Sequence, residues 1–337
     1  MLYFSHPACL EHDPSAQLPG HPDVPARLVE IERLLSERDW RGCERREAPA
    51  ATEAELRLVH SERQVRTVAE LAEAGGGAID ADTYVGEASY RAALHAAGGA
   101  GAMARALLGG EDTAGFCAMR PAGHHAEPDR SMGFCLFNNV AIAAELAVRE
   151  LGAERVLVFD WDVHHGNGTV EAFRHRDDVL VAGIHQAGIY PGSGPIGDAG
   201  SGPGTGYTIN LPVPAGSEEA VWLSLVEHIV VPVAGSFDPD LVLIAAGFDG
   251  HRTDPLGGCR LDTASFAKMA CFLRDAAAAA GAPIGAVLEG GYEPLALAES
   301  VAATVAALGG EGETVSAAPE PILTSRAAAH VAPHWEL

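Results

Sequence analysis

The sequence predicts a single α/β domain built on a mostly parallel sheet of about eight strands, flanked by helices. Short apolar runs rich in valine, isoleucine and leucine alternate with helical stretches of ten or more residues, an order typical of parallel sheets. Polar side chains directly follow several of these runs, which favours a site at the carboxyl ends of the strands. With 337 residues, 47% of them hydrophobic, the chain can bury a sizeable core, and it shows neither an internal repeat nor a linker.

The N-terminal part of the chain predicts framework elements. Met1 to Ser5 predicts the first strand, and Arg27 to Arg38 places apolar residues at helical spacing. His60 is predicted to be a surface residue rather than a ligand. Residues 75–86 are rich in glycine and aspartate and predict an irregular loop. Asp82 in this loop is a candidate substrate-binding residue, although a turn-forming role is the commoner one for aspartate.

A pair of histidines follows the next apolar run, Gly115 to Met119. The sequence Arg-Pro-Ala-Gly-His-His places His124 and His125 just beyond a strand end. Two neighbouring imidazoles can divide catalytic work, one as a general base and the other as a charged stabiliser. Phe134 lies shortly downstream and is a candidate for the wall of a substrate path, although a phenylalanine in such a run is more often part of the core.

Residues 155–169 contain the densest group of chemistry-bearing side chains. The apolar run Val156 to Phe159 predicts a strand buried on both faces. Asp160, Asp162 and His164 then alternate at period two, so in an extended chain they project to the same side. Carboxylate oxygens and imidazole nitrogens suit a divalent metal, and a catalytic zinc needs about three protein ligands. The segment therefore predicts a metal site, and the alternative is a loop of solvated aspartate and histidine.

Three more predicted strands end next to reactive residue types. These strands cover 179–184, 241–246 and 284–288, and they precede His185, Asp249 and Tyr292, respectively. Asp249 lies where a third metal ligand is needed, and a tyrosine can donate a hydrogen bond to a developing oxyanion. Because the carboxyl ends of parallel strands meet at one edge, the histidine pair, the Asp/His segment, Asp249 and Tyr292 are predicted to share one site.

Two segments lack a regular pattern. Residues 189–206 form a long loop rich in glycine and proline, a kind that is usually functional inside a compact domain, and Tyr190 lies within it. Residues 311–337 show no clear apolar periodicity. The predicted organisation is therefore a catalytic domain over 1–310 and a C-terminal surface tail over 311–337.

The formal net charge of -24 at pH 7 disfavours direct binding of nucleic acid and favours attraction of cationic substrates, although an acidic surface also serves solubility. Six cysteines without a CxxC pair indicate neither a disulfide framework nor a thiolate zinc site. Reduced thiols and the absence of a secretory pattern predict a cytoplasmic protein without a membrane segment. The sequence is compatible with an oligomer.

Five motifs between about residues 115 and 292 resemble those of the histone deacetylase-like amidohydrolases of the arginase/deacetylase fold, particularly the class II-like bacterial members. In order, they are Arg-Pro-Ala-Gly-His-His, Gly-Phe-Cys-Leu-Phe-Asn-Asn, Asp-Trp-Asp-Val-His-His-Gly-Asn-Gly-Thr, Ala-Gly-Phe-Asp-Gly-His followed by Asp-Pro-Leu-Gly, and Glu-Gly-Gly-Tyr. The motifs are long and specific, and they cover most of the predicted strand ends.

The resemblance implies a set of catalytic roles. One zinc ion is bound by Asp162, His164 and Asp249. The other catalytic residues are His124 with its partner Asp160, His125 with its partner Asn167, and Tyr292, which polarises the scissile carbonyl. The candidate substrate-binding residues are Phe134, Tyr190, Gly133, Leu256 and Asp82.

These roles imply hydrolysis of an N-acyl amine by metal-activated water, which removes acetyl or another short acyl group from a lysine side chain or a similar amine. His125 acts as the base in this scheme, and an imidazolium protonates the leaving amine. The resemblance also implies a potassium ion near Asp160, Asp162 and His164, although Gly183 stands where many members have a serine hydroxyl.

Several alternatives stay open. An acetylpolyamine amidohydrolase is the alternative within the family, and there an acidic residue can take the place of Leu256. A di-manganese ureohydrolase needs further bridging carboxylates, and a non-catalytic acyl-lysine-binding module is expected to lack the tyrosine or a ligand. Iron is compatible with the same ligands as zinc.

Overall fold

Eight of the ten strands form one sheet in which every neighbouring pair is parallel. The computed structural model describes residues 1–337. In chain order the strands are β1 (Leu2–Ser5), β2 (Glu44–Glu47), β3 (Gly76–Ala78), β4 (Tyr84–Gly86), β5 (Ala114–Cys117), β6 (Val156–Asp160), β7 (Val179–Gln186), β8 (Thr208–Val213), β9 (Leu241–Ala246) and β10 (Ile284–Leu288). The large sheet has the order β2-β1-β5-β10-β9-β6-β7-β8. The predicted fold class is confirmed.

Helices flank this sheet in two packed groups. In chain order they are α1 (Ala26–Glu37), α2 (Glu53–Leu56), α3 (Glu62–Glu73), α4 (Ser89–Leu108), α5 (Asn139–Glu150), α6 (Asn167–Phe173), α7 (Glu219–Leu225), α8 (Val231–Phe237), α9 (Thr263–Ala280), α10 (Pro294–Leu308) and α11 (Leu323–Val331). One group joins α1, α10, α9 and α8, and the other joins α4 to α5. Because helices cover both faces, β5, β6, β9 and β10 are buried at every residue.

The structure differs from the sequence-based expectation in three segments. Residues 75–86 are not irregular, because β3 and β4 pair in a small antiparallel hairpin. The edge strand β2 was not expected, since all but one of its residues are exposed and its sequence Glu-Arg-Arg-Glu has no apolar face. In the C-terminal segment 311–337, α11 buries Thr324, Ala327 and Val331. One core cluster contains both Ala327 and β1 residues, so this helix packs with the rest of the domain.

The helical stretch from α7 through α8 is continuous but changes its winding. Residues Val226–Val230 form a π-helical segment between the two helices. By length and apolar composition Glu219–Phe237 resembles a membrane span, but Trp222, Ile229 and Val233 are buried inside the domain. This burial is typical of a core helix.

His60 is buried, with 2% of its surface exposed, so its prediction as a surface residue is wrong. Its Nδ1 lies 3.1 Å from the carbonyl oxygen of Glu127, and its Nε2 accepts a hydrogen bond of 2.8 Å from the backbone N–H of Asn138. Asn138 caps α5 with its side chain, which accepts from the N–H of Ala141 at 3.0 Å. His60 therefore ties the start of α5 to the loop around Glu127, and this long-range role leaves no local sequence signal.

Replacing His60 with glutamine is expected to flatten the pH dependence of stability. Burial lowers the pKa of His60 to about 4 from its usual 6.5. Between pH 6.5 and about 4 this histidine is protonated in the unfolded chain but neutral in the folded protein, so stability decreases as the pH falls through this range. Urea unfolding at pH 7, 6 and 5 should show a slope for the wild type that exceeds the slope for H60Q by up to about 1.4 kcal/mol per pH unit. Equal slopes would contradict the buried neutral state of this imidazole.

Candidate active site

The side chains predicted to share a site lie beyond the carboxyl ends of four neighbouring strands. In the sheet, β5, β10, β9 and β6 are adjacent in that order. They lead into the histidine pair, Tyr292, Asp249 and the Asp160–His164 segment, respectively. The fold therefore brings together at one edge four groups that are far apart in the sequence.

Asp162, His164 and Asp249 converge as one trio of possible metal ligands, with one donor atom from each within 4.8 Å of the others. The Nδ1 atom of His164 lies 3.1 Å from Oδ1 of Asp162 and 3.0 Å from Oδ2 of Asp249. The backbone N–H groups of Gly290 and Val163 donate to the other two carboxylate oxygens, each at 2.8 Å. These main-chain donors fix both carboxylates with one oxygen directed at the imidazole.

The trio fits a divalent cation by its chemistry. Both carboxylates are buried, and burial together with the charge of Asp162 raises the pKa of Asp249 to about 7. Such repulsion is relieved when a cation lies between the groups. Two carboxylates and one imidazole also form the three-ligand set with an open position that a catalytic zinc requires. Asp162, His164 and Asp249 are therefore the residues that would hold a metal.

Asp160 does not project to the same side as Asp162 and His164, so the prediction that these three residues share one face is wrong. The strand β6 ends at Asp160, and the chain bends over the next residues, so the period-two alternation does not continue. Oδ2 of Asp160 lies 2.9 Å from Nδ1 of His124, while Oδ1 accepts from the N–H of Asp162 at 3.0 Å. The carboxylate of Asp160 thus pairs with the His124 ring and with the backbone of Asp162, and it does not join Asp162 and Asp249 around the imidazole of His164.

The two adjacent histidines have opposite electrostatic surroundings. Burial opposes the charged form of His124, but the carboxylates of Asp162 and Asp160 raise its pKa to about 10. Burial, followed by the positive charges of His124 and His164, lowers the pKa of His125 well below its usual range. At neutral pH one imidazole is therefore charged and the other neutral, which is the division of work expected of a stabiliser and a base.

Asn167 sets the tautomer of His125. Its Oδ1 lies 2.8 Å from Nδ1 of His125, and its amide group donates to Oε1 of Glu127 at 2.8 Å. Because the amide oxygen can only accept, Nδ1 of His125 must carry the proton. Nε2 of His125 is then the free base.

Replacing Asn167 with leucine is expected to lower kcat by about 10- to 100-fold, as for the loss of other orienting partners. The variant removes the acceptor that selects the tautomer of His125. Asn167→Asp keeps an acceptor at the same place and is expected to retain more activity than N167L. Steady-state kinetics of both variants check this order, and equal activities would show that the hydrogen bond does not matter.

A cleft of about 250 Å³ opens beside His125, His164 and Tyr292. All five candidate substrate-binding residues line it: Gly133, Phe134, Tyr190, Leu256 and Asp82. Two aromatic rings of the cleft pack against catalytic residues. The ring centroid of Phe134 lies 5.8 Å from that of Tyr292, and the ring centroid of Tyr190 lies 5.1 Å from that of His125. The wall of the cleft is thus largely apolar and aromatic, with one carboxylate.

Gly133 and Phe134 take an uncommon backbone conformation at this wall, with φ values of +57° and +66°. A Cβ atom on Gly133 would lie 2.5 Å from Cδ2 of His125 and 2.8 Å from Cε1 of Tyr190. Phe134 is held in place by Thr83, whose hydroxyl accepts from the Phe134 N–H at 3.2 Å, and by the ring of His21. Only glycine can bring the backbone this close to both rings.

Sequence reasoning missed the residues that support Tyr292. The N–H of Tyr292 donates to Oδ2 of Asp254 at 2.6 Å. Arg27 donates to the carbonyl oxygen of Gly291 at 2.5 Å, and its guanidinium lies 4.7 Å from the centroid of the Tyr292 ring. Arg27 in turn pairs with buried Asp23 at 2.6 Å. Asp254 lies in the Asp-Pro-Leu-Gly motif, whereas nothing near Arg27 pointed to this contact.

The parallel sheet, the carboxylate–imidazole trio and the adjacent histidines together define a protein of the arginase/deacetylase fold. Comparison with known proteins gives the family. Residues 21–308 match the histone deacetylase domain. The chain therefore belongs to the histone deacetylase family, whose members include deacetylases and amidohydrolases and generally use a metal.

Individual relatives agree with this assignment. A histone deacetylase-like amidohydrolase of Pseudomonas aeruginosa is 39% identical over 279 residues, which cover 81% of this chain and 73% of that protein. A probable deacetylase of Archaeoglobus fulgidus is 38% identical over 294 residues, which cover 85% and 80%. The crystal structure of the HDA15 HD domain superposes with a TM-score of 0.90 at 35% identity and covers 98% of this chain and 93% of that one. This protein is therefore a hydrolase of the deacetylase type.

Proposed function

We propose that this protein is a zinc-dependent amidohydrolase that removes acetyl or other short acyl groups from lysine side chains or similar N-acyl amines. The observation that carries the proposal is that three groups meet at one cleft: the trio, whose His164 lines it, the imidazole of His125 with its lowered pKa, and Tyr292. These are the parts that hydrolysis of an unactivated amide needs, namely a Lewis acid site, a base and an oxyanion donor.

Zinc bound by the trio would polarise the acyl carbonyl and lower the pKa of a water molecule. His125, with Nε2 unprotonated, accepts the proton of the attacking water. Tyr292 donates a hydrogen bond to the oxygen that becomes negative. His124 stays positively charged beside Asp160 and stabilises the developing negative charge. Proton return to the departing nitrogen then gives a free amine and a carboxylic acid.

The cleft supports a linear acyl amine as the substrate. Phe134 and Tyr190 both line the cleft and give it apolar surface for an alkyl chain such as that of lysine, and Leu256 lies at the exposed rim with 39% of its surface accessible. The side chain of Leu256 gives no charge to a distant ammonium, which favours acyl-lysine.

Asp82 favours the alternative, an acetylpolyamine amidohydrolase. Its carboxylate lies on the cleft, and burial together with the neighbouring Asp80 raises its pKa. The two carboxylates lack a Lys or Arg partner among the ion pairs of the structure, so a cationic tail of the substrate would be attracted to them.

The deciding experiment compares kcat/KM of the zinc-loaded protein for an acetyl-lysine peptide and for an acetylated polyamine, with Asp249→Ala as the blank. We expect a preference for the peptide. A preference for the polyamine that disappears in Asp82→Asn would replace the main proposal with the alternative. Activity that survives in the Asp249→Ala blank would contradict both.

A potassium ion near Asp160, Asp162 and His164 is also proposed. A small cavity of about 10 Å³ is lined by Asp160, His164 and Gly183, among others, and has room for about one water molecule or one ion of similar size. Gly183 offers no hydroxyl there, so we expect weak binding. Activity measured in potassium and in sodium buffers of equal ionic strength should differ by only a few fold.

We further propose a cytoplasmic location and a catalytic domain over 1–310, with the α11 segment as a packed C-terminal addition. All six cysteines are free, as expected in a reducing compartment. The net charge of -24 makes nucleic acid an unfavourable direct partner, so the substrate is proposed to be an acylated protein segment or a small acyl amine.

A further inference from the structure

Glu289 is a buried carboxylate next to the site with no role in the proposed reaction. It directly follows β10 and opens the Glu-Gly-Gly-Tyr segment. Its side chain is fully buried, and its Oε2 accepts hydrogen bonds from the backbone N–H groups of Gly123 at 2.7 Å and His124 at 3.0 Å. The carboxylate thus connects the loop after β5 to the loop after β10.

Three hydrogen bonds fix the backbone of Glu289 and of the next residue, Gly290. The N–H of Glu289 donates to the carbonyl oxygen of Ala246 in β9 at 3.0 Å, and its carbonyl oxygen accepts from Arg27 at 2.5 Å. The N–H of the next residue, Gly290, donates to Asp162 of the trio at 2.8 Å. A side chain that starts from such a fixed point can transmit its position to whatever it binds.

The other oxygen of Glu289 is used by nothing in the protein. Oε1 is buried and lacks a hydrogen-bond partner. Burying a polar atom in this way is unfavourable. A contribution to folding stability is therefore a weak explanation for a buried glutamate at this position. The two hydrogen bonds of Oε2 to the histidine loop suggest instead that Glu289 holds this loop in place.

We propose that Glu289 is a positioning residue that sets the place of the two histidines relative to the trio and Tyr292. This inference rests on the proposed function. The Oε2 atom holds the N–H of His124, so the His124 ring meets Asp160 and the next residue, His125, meets Asn167. Glu289 lies three residues before Tyr292 in the chain. Its side chain therefore connects the loop that carries His125, the base, to the loop that carries Tyr292, the oxyanion donor.

A purely electrostatic role is the competing explanation, since a negative Glu289 also favours a charged His124. Three substitutions separate the two. Glu289→Gln keeps an acceptor oxygen at full length but loses the charge. Glu289→Asp keeps the charge but shortens the side chain by one methylene, and Glu289→Leu loses both charge and acceptor.

Positioning predicts that E289Q keeps kcat within a few fold of the wild type. E289D and E289L are expected to lose kcat by about 100-fold, the usual effect of a misplacement of about 1 Å at a catalytic group. KM and bound zinc should change little in all three variants, because the cleft wall and the trio keep their own supports. Higher activity in E289D than in E289Q would overturn positioning in favour of charge, and full activity in E289L would overturn both.

A second measurement does not depend on turnover. Amide hydrogen exchange of peptides covering residues 118–128 should accelerate in E289L and stay near the wild-type rate in E289Q. Unchanged exchange in E289L would overturn the inference even if the protein proves to have another substrate. Conversely, a wild type without hydrolase activity but with accelerated exchange in E289L would contradict only the proposed function.

Glu145 provides the matched control for folding. It is a second buried glutamate, located on α5, and its carboxylate pairs with Arg149 and Arg176 outside the site. Glu145→Leu is expected to lower the melting temperature without lowering kcat. If E289L lost kcat only in proportion to a loss of folded protein, as judged by the melting curve and circular dichroism, the positioning role would be refuted.

Discussion

Replacing Asp249 with alanine is expected to abolish hydrolysis and to remove most of the zinc that we propose the trio to bind. The variant loses one of three ligands and leaves Asp162 and His164, which are too few for a stable catalytic site. A loss of kcat/KM of about 1,000-fold or more corresponds to on the order of 4 kcal/mol of transition-state stabilisation. Activity assays and metal analysis of the purified variant check both parts of this expectation.

Asp240 offers the control for Asp249→Ala. Its carboxylate also accepts backbone N–H groups, from Glu154 at 2.8 Å and Arg155 at 2.9 Å, but it precedes β9 and therefore lies at the opposite edge of the sheet. Asp240→Ala is expected to lower stability and to keep zinc and kcat/KM. A variant of Asp249 that still bound one zinc per chain and turned over substrate would disprove the assignment of the trio.

Replacing Tyr292 with phenylalanine is expected to lower kcat by about 100- to 1,000-fold, the usual effect of removing one oxyanion donor. The ring stays between Phe134 and Arg27, so the cleft keeps its shape and KM should change by no more than a few fold. Zinc content should equal that of the wild type, which distinguishes this variant from Asp249→Ala.

Tyr190→Phe serves as the comparison, because it removes a hydroxyl from the same cleft at a residue to which no catalytic role is given. We expect it to keep kcat close to the wild-type value. If Tyr292→Phe and Tyr190→Phe had the same small effect, the oxyanion would have to be stabilised by other groups, and the role of Tyr292 would be limited to the wall of the cleft.

The fold and the convergence of the site follow from patterns that are local in sequence. Strands such as β6 and β9 are continuous apolar runs because both faces of the sheet are covered, so their length and composition are informative. Once these strands are parallel, Asp249 and His164 must emerge at the same edge. The family resemblance was carried by the same segments and is confirmed.

The supports of the site could not be predicted, because each joins residues that are distant in sequence and of types that have many other uses. Arg27 and Gly291 are separated by 264 positions, and Glu289 and His124 by 165. His60 is an example of the same kind, since a single histidine after a short helix has no feature that distinguishes burial from exposure. The conformation of Phe134, at φ +66°, likewise depends on its surroundings rather than on its own preference.

The strand order limits how much of the sheet can form while the protein is being synthesised on the ribosome. The strand β10 is the last to be synthesised, yet it lies between β5 and β9 in the middle of the sheet. Until residues 284–288 emerge, the nascent chain can assemble only two separate half-sheets, β2-β1-β5 and β9-β6-β7-β8. The histidine pair belongs to one half and the trio to the other, so the catalytic centre cannot form before β10 has been synthesised. Chains that stop before β10 are therefore expected to lack activity altogether rather than to keep part of it.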